Sequence, residues 1–364
     1  SSAIAQSAPL DLPWFTRQAY ADLITPEIAK AVGCDDNSNT SEESLLSCLR
    51  SVQAIKYVGN STSFQQALAA SAEAVGSDYL HVSSLLAAIE PFMPVVDDSS
   101  SGVIDGQFYS LLANSALPNH VPTMFTSVTD EAYLYVDGEV PPLGSSQSTL
   151  DMVYKIAYPE DLATDLAQAD VFSVNTSSPD GTRNAVADAL TYSEWTCPQA
   201  YLLDHATKSF PKLFEVEIGQ GHVQSTKGVP AICSPNPNYN ASCHTSDVLL
   251  VWGTLNSKTI DVGPYYNERD WLHSQMLNDV FGAFFRSHNP NPDPEWLRVR
   301  GPAYAASYRV FGEDRFSIHE YAPGQKHLSL LDMPPRLTVN PGVTDKCKVF
   351  TDYGYTFQHA DLTL

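Results

Sequence analysis

Val121-Pro122-Thr123-Met124-Phe125-Thr126-Ser127-Val128-Thr129-Asp130-Glu131 reads as a short β-strand that stops on two carboxylates. Its β-branched and apolar residues run for the length of one strand, and Thr129-Asp130-Glu131 then breaks the pattern. Downstream, apolar residues recur at helical spacing over Leu150 to Leu166 and Arg183 to Lys208, and Lys212-Leu213-Phe214-Glu215-Val216-Glu217-Ile218 returns to strand. Strands alternating with helices predict an α/β fold, in which chemistry sits on the loops beyond the carboxyl ends of the strands. Glu131 occupies such a position.

Upstream, Ala3-Ile4-Ala5-Gln6-Ser7-Ala8-Pro9 reads as a short buried strand running into a loop. Trp14 to Val32 has helical spacing, stopped by Gly33, and Thr40 with Glu43 three residues later forms a capping-box signal ahead of Leu45, Leu46 and Leu49. A further Ala-rich helix is expected over Ser63 to Val75. Late in the chain, Trp271, Leu272, Met276, Val280, Phe281, Phe284 and Phe285 mark an amphipathic helix that ends at His288 and the prolines of Asn289-Pro290-Asn291-Pro292. No internal repeat or low-complexity linker divides the chain, so residues 1–364 are read as one domain.

The 364 residues, 43% of them apolar, can build a sizeable core. Asp and Glu number 42 against 20 Lys and Arg, and the formal charge of -22 repels nucleic acid and anionic membrane surfaces. No apolar run approaches the roughly 18 residues of a membrane span. No charged leader followed by an apolar stretch opens the sequence, so any secretion signal is expected to have been removed. The six cysteines, at 34, 48, 197, 233, 243 and 347, show no metal-ligand spacing, and no structural zinc is expected. Acceptor triplets for N-glycosylation begin at Asn39, Asn60, Asn175 and Asn240, each in a polar, turn-like setting. Four such triplets with an even cysteine count predict a secreted, extracellular, disulfide-bonded glycoprotein.

A buried carboxylate can hold an imidazole in one tautomer and stabilise the imidazolium formed when that ring takes a proton from a serine. Glu131 is the candidate carboxylate. His244, in the loop after the next strand, and His222, in Gly219-Gln220-Gly221-His222 directly behind that strand, both qualify for the base. His319 and His327 have only their residue type in their favour, and Asp247 is read as supporting its loop. The chain order of acid, then histidine, is that of an α/β-hydrolase, whose serine precedes both.

Several motifs resemble the type-B carboxylesterases, the family of cholinesterases, larger fungal lipases and sterol esterases. Phe92-Met93-Pro94-Val95-Val96-Asp97, Val121-Pro122 and Asp130-Glu131-Ala132 resemble its F-x-P-V-x-D, V-P and D-E-G segments, with Ala132 in place of glycine. His244-Thr245-Ser246-Asp247 through Val251-Trp252-Gly253 resembles its H-G-x-E/D segment ending in V-F-G, with Thr245 where glycine is common. Trp195-Thr196-Cys197-Pro198 resembles a helix motif between acid and histidine. Phe281 to Asn291 resembles the late helix and G-x-P-N turn, with a departure at Ser287-His288. These motifs span nearly the whole chain in the family's order.

The resemblance implies an α/β-hydrolase fold and cofactor-free ester hydrolysis with Glu131 and His244 as acid and base. It also implies a gap: no G-x-S-x-G nucleophile elbow and no glycine-rich oxyanion loop occur in the 364 residues. The chain is therefore expected to be the C-terminal part of the mixed sheet, with flanking and lid-type helices. A separate N-terminal chain carrying the serine would complete it as a heterodimer. Residues 10–90 lie where relatives carry pocket-covering helices, and the substrate is expected to be a small-molecule or lipid ester. On the family pattern Cys34 pairs with Cys48 and Cys233 with Cys243, while Cys197 and Cys347 stay open to each other or to the second chain. Two alternatives remain: a catalytically inactive adhesion or binding module, and a hydrolase of another acyl bond, amide or lactone.

Overall fold

The computed structural model describes residues 1–34, 41–54, 56, 62–80, 94–97, 103–220, 230–233, 241–255 and 268–359. Two compact units emerge: Ser1–Asp11, Leu112–Val153 and Gln168–Asp352 form the first, and Leu12–Leu111, Tyr154–Ala167 and Tyr353–Leu364 the second. Phe92, Met93, His222, Asn39, Asn60 and Asn240 lie outside the described residues.

The first unit is built on a five-stranded sheet of β1 (Ala3–Gln6), β2 (Thr123–Val128), β3 (Leu213–Ile218), β4 (His327–Leu331) and β5 (Arg336–Val339), in that spatial order. The first four run parallel and β5 antiparallel to β4. Parallel strands need crossover connections, which place helices on both faces, so the central strands have no solvent face. All six residues of β2 are buried, and so are five of the six in β3, Glu215 among them. That is why Thr123, Thr126 and Ser127 sit inside a strand that shows no clean polar alternation.

Helices α1 (Gly181–Thr191), α2 (Cys197–Ala206), α3 (Val248–Val251) and α4 (Glu268–Ser287) frame the functional loops. Along α4 the apolar residues Met276, Leu277, Val280, Phe281 and Phe284 repeat at helical spacing and pack with Met124, Val128, Phe214, Val216 and Ile218 of the sheet and with Leu249, Leu250 and Val251 of α3. His288 ends α4 with φ 58°, the left-handed conformation of a helix C-terminus that glycine usually supplies.

In the second unit, Phe15–Thr16 pairs with Val95–Val96 in a short parallel ladder. Phe15, Ala19, Ile24, Ile28, Val75, Tyr79 and Leu80 form its core. Gly33 caps the helix Thr25–Val32 at φ 79°.

Three sequence readings change in detail. The pattern from Trp14 starts as strand and becomes helical only at Arg17. The helix Glu42–Ser51 is capped by Ser41, whose hydroxyl accepts from the Ser44 N–H at 3.3 Å, while Thr40 of the expected capping box lies outside the described residues. Leu150 to Leu166 is two helices, Gln147–Ala157 and Glu160–Ala169, because Pro159 lies between them and lacks the N–H that continuation requires. Disulfides join Cys34 to Cys48, Cys233 to Cys243 and Cys197 to Cys347.

Candidate active site

The site forms at the carboxyl ends of β1, β2 and β3, and each of its residues belongs to the first unit. Beyond β2, Asp130 makes a parallel β-bridge with Cys243. The Asp130 N–H donates to the Ser242 carbonyl at 3.1 Å, and the Ser242 N–H returns a bond to Asp130 Oδ2 at 2.8 Å. Burial raises the Asp130 carboxyl above its ordinary range, while bonds from Thr129 and Ser242 oppose that rise. The bridge puts the residues that follow, Glu131 and His244, side by side.

Glu131 is fully buried and both its oxygens are used. Oε1 accepts the Val128 N–H at 2.9 Å, and Oε2 lies 2.6 Å from Nδ1 of His244. A carboxylate only accepts, so Nδ1 carries the proton in this pair and Nε2 keeps its lone pair. The His244 side chain retains 21% of its exposure, leaving the ring reachable from solvent while its partner is sealed. Thr245, directly behind it, has φ 71°, a left-handed conformation that a β-branched residue adopts only under strain. The family's glycine at this place has a backbone reason.

Two aromatic rings flank the imidazole. The centroid of Trp195 lies 5.8 Å from that of His244 and the centroid of Tyr135 lies 5.7 Å from it, while Tyr135 and Trp195 stack on each other at 6.1 Å. Trp195 belongs to a π-helical turn, Tyr192–Thr196, between α1 and α2. A helical pattern over Arg183 to Lys208 does not reveal that interruption, and neither ring was singled out as a site residue from sequence. The Trp-Thr-Cys-Pro motif was the signal for Trp195.

Asp247, at the start of α3, accepts from Gln6 Nε2 of β1 at 2.9 Å. Burial pushes its carboxyl up, with the Gln6 bond and His244 pulling the other way. Its structural partner is thus on β1. Among the described residues no group of three or more His, Cys, Asp or Glu side chains is arranged to hold a metal ion, and no helix is long and apolar enough to cross a membrane. His319 and His327 make no contact with this site in the bonds described.

The arrangement can hold a neutral imidazole by one nitrogen and offer the other as a proton acceptor at the end of a parallel sheet. No curated protein matches the chain. The model of the carboxylesterase family matches residues 1–314, and with the parallel sheet and flanking helices of an α/β-hydrolase, this chain belongs to that family of ester hydrolases.

Proposed function

We propose that this chain supplies the acid and the general base of a serine carboxylesterase, Glu131 and His244, and that the serine stands on an N-terminal polypeptide outside these residues. The observation that carries the reading is the 2.6 Å contact between Glu131 Oε2 and His244 Nδ1, in a sequence with no G-x-S-x-G. His244 Nε2 takes the serine proton as the oxygen attacks the ester carbonyl, then returns it to the departing alcohol. Glu131 fixes the ring and stabilises its charged form. Water releases the acid by the same route.

The sheet supports an added strand. β1 is an edge, and the N–H groups of Ala3 and Ser7 point to β2, donating to Pro122 and Thr126 at 3.0 and 2.7 Å. The intervening Ile4 and Gln6 therefore turn their backbone groups to the open side, a template for another strand. Trp252 and Phe285, 60% and 50% exposed, add apolar surface to the same unit. Secretion and glycosylation belong to the proposal too. Asn175 is exposed, and its Oδ1 accepts the Ser177 N–H at 3.0 Å within an acceptor triplet.

Intact mass under native and denaturing, non-reducing conditions, combined with fluorophosphonate labelling, tests the reading. A second polypeptide that takes the label is expected. His244→Ala should abolish turnover, and Glu131→Gln should lower kcat by about a thousandfold or more. A chain that is folded, alone and unlabelled would instead be a binding module.

A further inference from the structure

We infer that Trp195 is a positioning residue for His244. The inference rests on the reading of Glu131 and His244 as an acid and base pair. The indole is anchored to the exit of β1: its Nε1–H donates to the carbonyl of Ser7 at 3.1 Å. Ser7 leaves β1 with φ 48° and is itself buried, its N–H held by Thr126 of β2. The anchor point is thus part of the sheet. The backbone beneath the indole is held as firmly, because the Leu10 N–H donates to the Glu194 carbonyl at 3.2 Å. At the end of α1 the Thr191 hydroxyl accepts the Ala132 N–H at 3.0 Å, tying the π-turn to the acid loop.

These bonds fix the ring that meets His244, and they join β1, the π-turn and the acid loop into one frame. An imidazole held only by its Nδ1 bond to Glu131 can still swing about its side-chain torsions. Trp195, inclined at 47° to the imidazole, and Tyr135, inclined at 44°, restrict that swing. The π-turn is the device that supplies the ring. An extra residue in a helical turn rotates the side chains that follow, and such insertions recur at functional sites.

The test reads the imidazole directly, in the protein as purified, and does not need turnover. Histidine labelled with nitrogen-15 reports the Nδ1 proton of His244 as a low-field resonance that survives only while the ring stays bonded to Glu131. Glu131→Ala is expected to remove that resonance. Trp195→Leu is expected to broaden or remove it, and Trp195→Phe, which keeps a ring but loses the bond to Ser7, to weaken it less than Trp195→Leu does. In the unaltered chain, cross-relaxation between the Trp195 ring and the His244 Cε1 proton is expected, which tests the contact without any substitution. If Glu131→Ala leaves the resonance in place, the pairing itself fails. If Glu131→Ala removes it while Trp195→Leu keeps it at full intensity, or if the cross-relaxation is missing, the positioning role alone is overturned.

Discussion

Asp130 and Cys243 form a parallel β-bridge, and each is followed in sequence by one half of the Glu131 and His244 pair. A backbone contact one residue away therefore sets the distance between Glu131 and His244, reinforced by the His244 N–H donating to the Glu131 carbonyl at 3.4 Å. The Cys233–Cys243 disulfide ends on the bridge residue itself, and both its cysteines are buried. Its task is local.

The two disulfides of this unit should consequently separate activity from stability. Cys233 and Cys243 are 10 residues apart and Cys197 and Cys347 are 150 apart. On loop-closure entropy the first bridge contributes roughly 3 kcal/mol and the second roughly 5 kcal/mol. Replacing Cys233 and Cys243 by serine should cost more ester turnover, and replacing Cys197 and Cys347 more denaturant resistance. Urea melts and ester turnover on the two double variants check the order, and equal losses of turnover would defeat it.

Thr245→Gly should stabilise the chain or leave it unchanged, against the usual penalty for glycine. A non-glycine residue in the left-handed region costs about 1–2 kcal/mol, and Thr245 pays it at φ 71°. Glycine removes that strain and gives back part of the gain as unfolded-chain entropy. Thr245→Ala keeps most of the strain and serves as the control. A melting temperature for Thr245→Gly below that of Thr245→Ala would show that the strain relieved is smaller than the unfolded-chain entropy glycine adds.

The parts of this site that local pattern encodes were legible in the sequence. A β-branched run ending on Asp130-Glu131 and the family-like segment from His244 to Gly253 name the carboxylate and the imidazole that lie 2.6 Å apart. What stayed hidden depends on contacts across the sheet. Nothing near Gln6 announces a bond to Asp247 some 241 residues away, and the periodicity over Arg183 to Lys208 conceals the π-turn that turns Trp195 toward the imidazole. Helix boundaries moved for chemical reasons of a residue or two, as with Ser41 taking the cap and Pro159 dividing a helix.

His273 gives the unit an acid limit. It is fully buried on α4, its Nε2 lies 2.9 Å from the Leu331 carbonyl at the end of β4, and burial pushes its imidazole down to about 4. A depressed histidine contributes stability above its unfolded value near 6.5 and loses it as pH falls through its folded value. The loss should thus accumulate from about pH 6.5 to about pH 4 and reach about 3 kcal/mol at most. His273→Gln, which keeps a donor for the Leu331 carbonyl without titrating, should flatten that limb in urea melts taken across the range. An unchanged slope would remove His273 as its cause.

Glu215 should impose the opposite slope. It is buried on β3, with one oxygen accepting Gln199 Nε2 at 3.0 Å and the other without a partner. Burial pushes its carboxyl up to about 7; the Gln199 bond opposes that rise, and Asp204 adds to it. A carboxyl raised in the folded state contributes its stability fully below the unfolded value of about 4.5 and loses it as pH rises through the folded value. Stability should therefore decline from about pH 4.5 to about pH 7 by up to about 3 kcal/mol from this group. Glu215→Gln, isosteric with the protonated acid, should match the parent at pH 4 and exceed it at pH 8. If the variant is the weaker protein at pH 8, β3 holds the ionised carboxylate better than a neutral amide, and burial is not what governs this group.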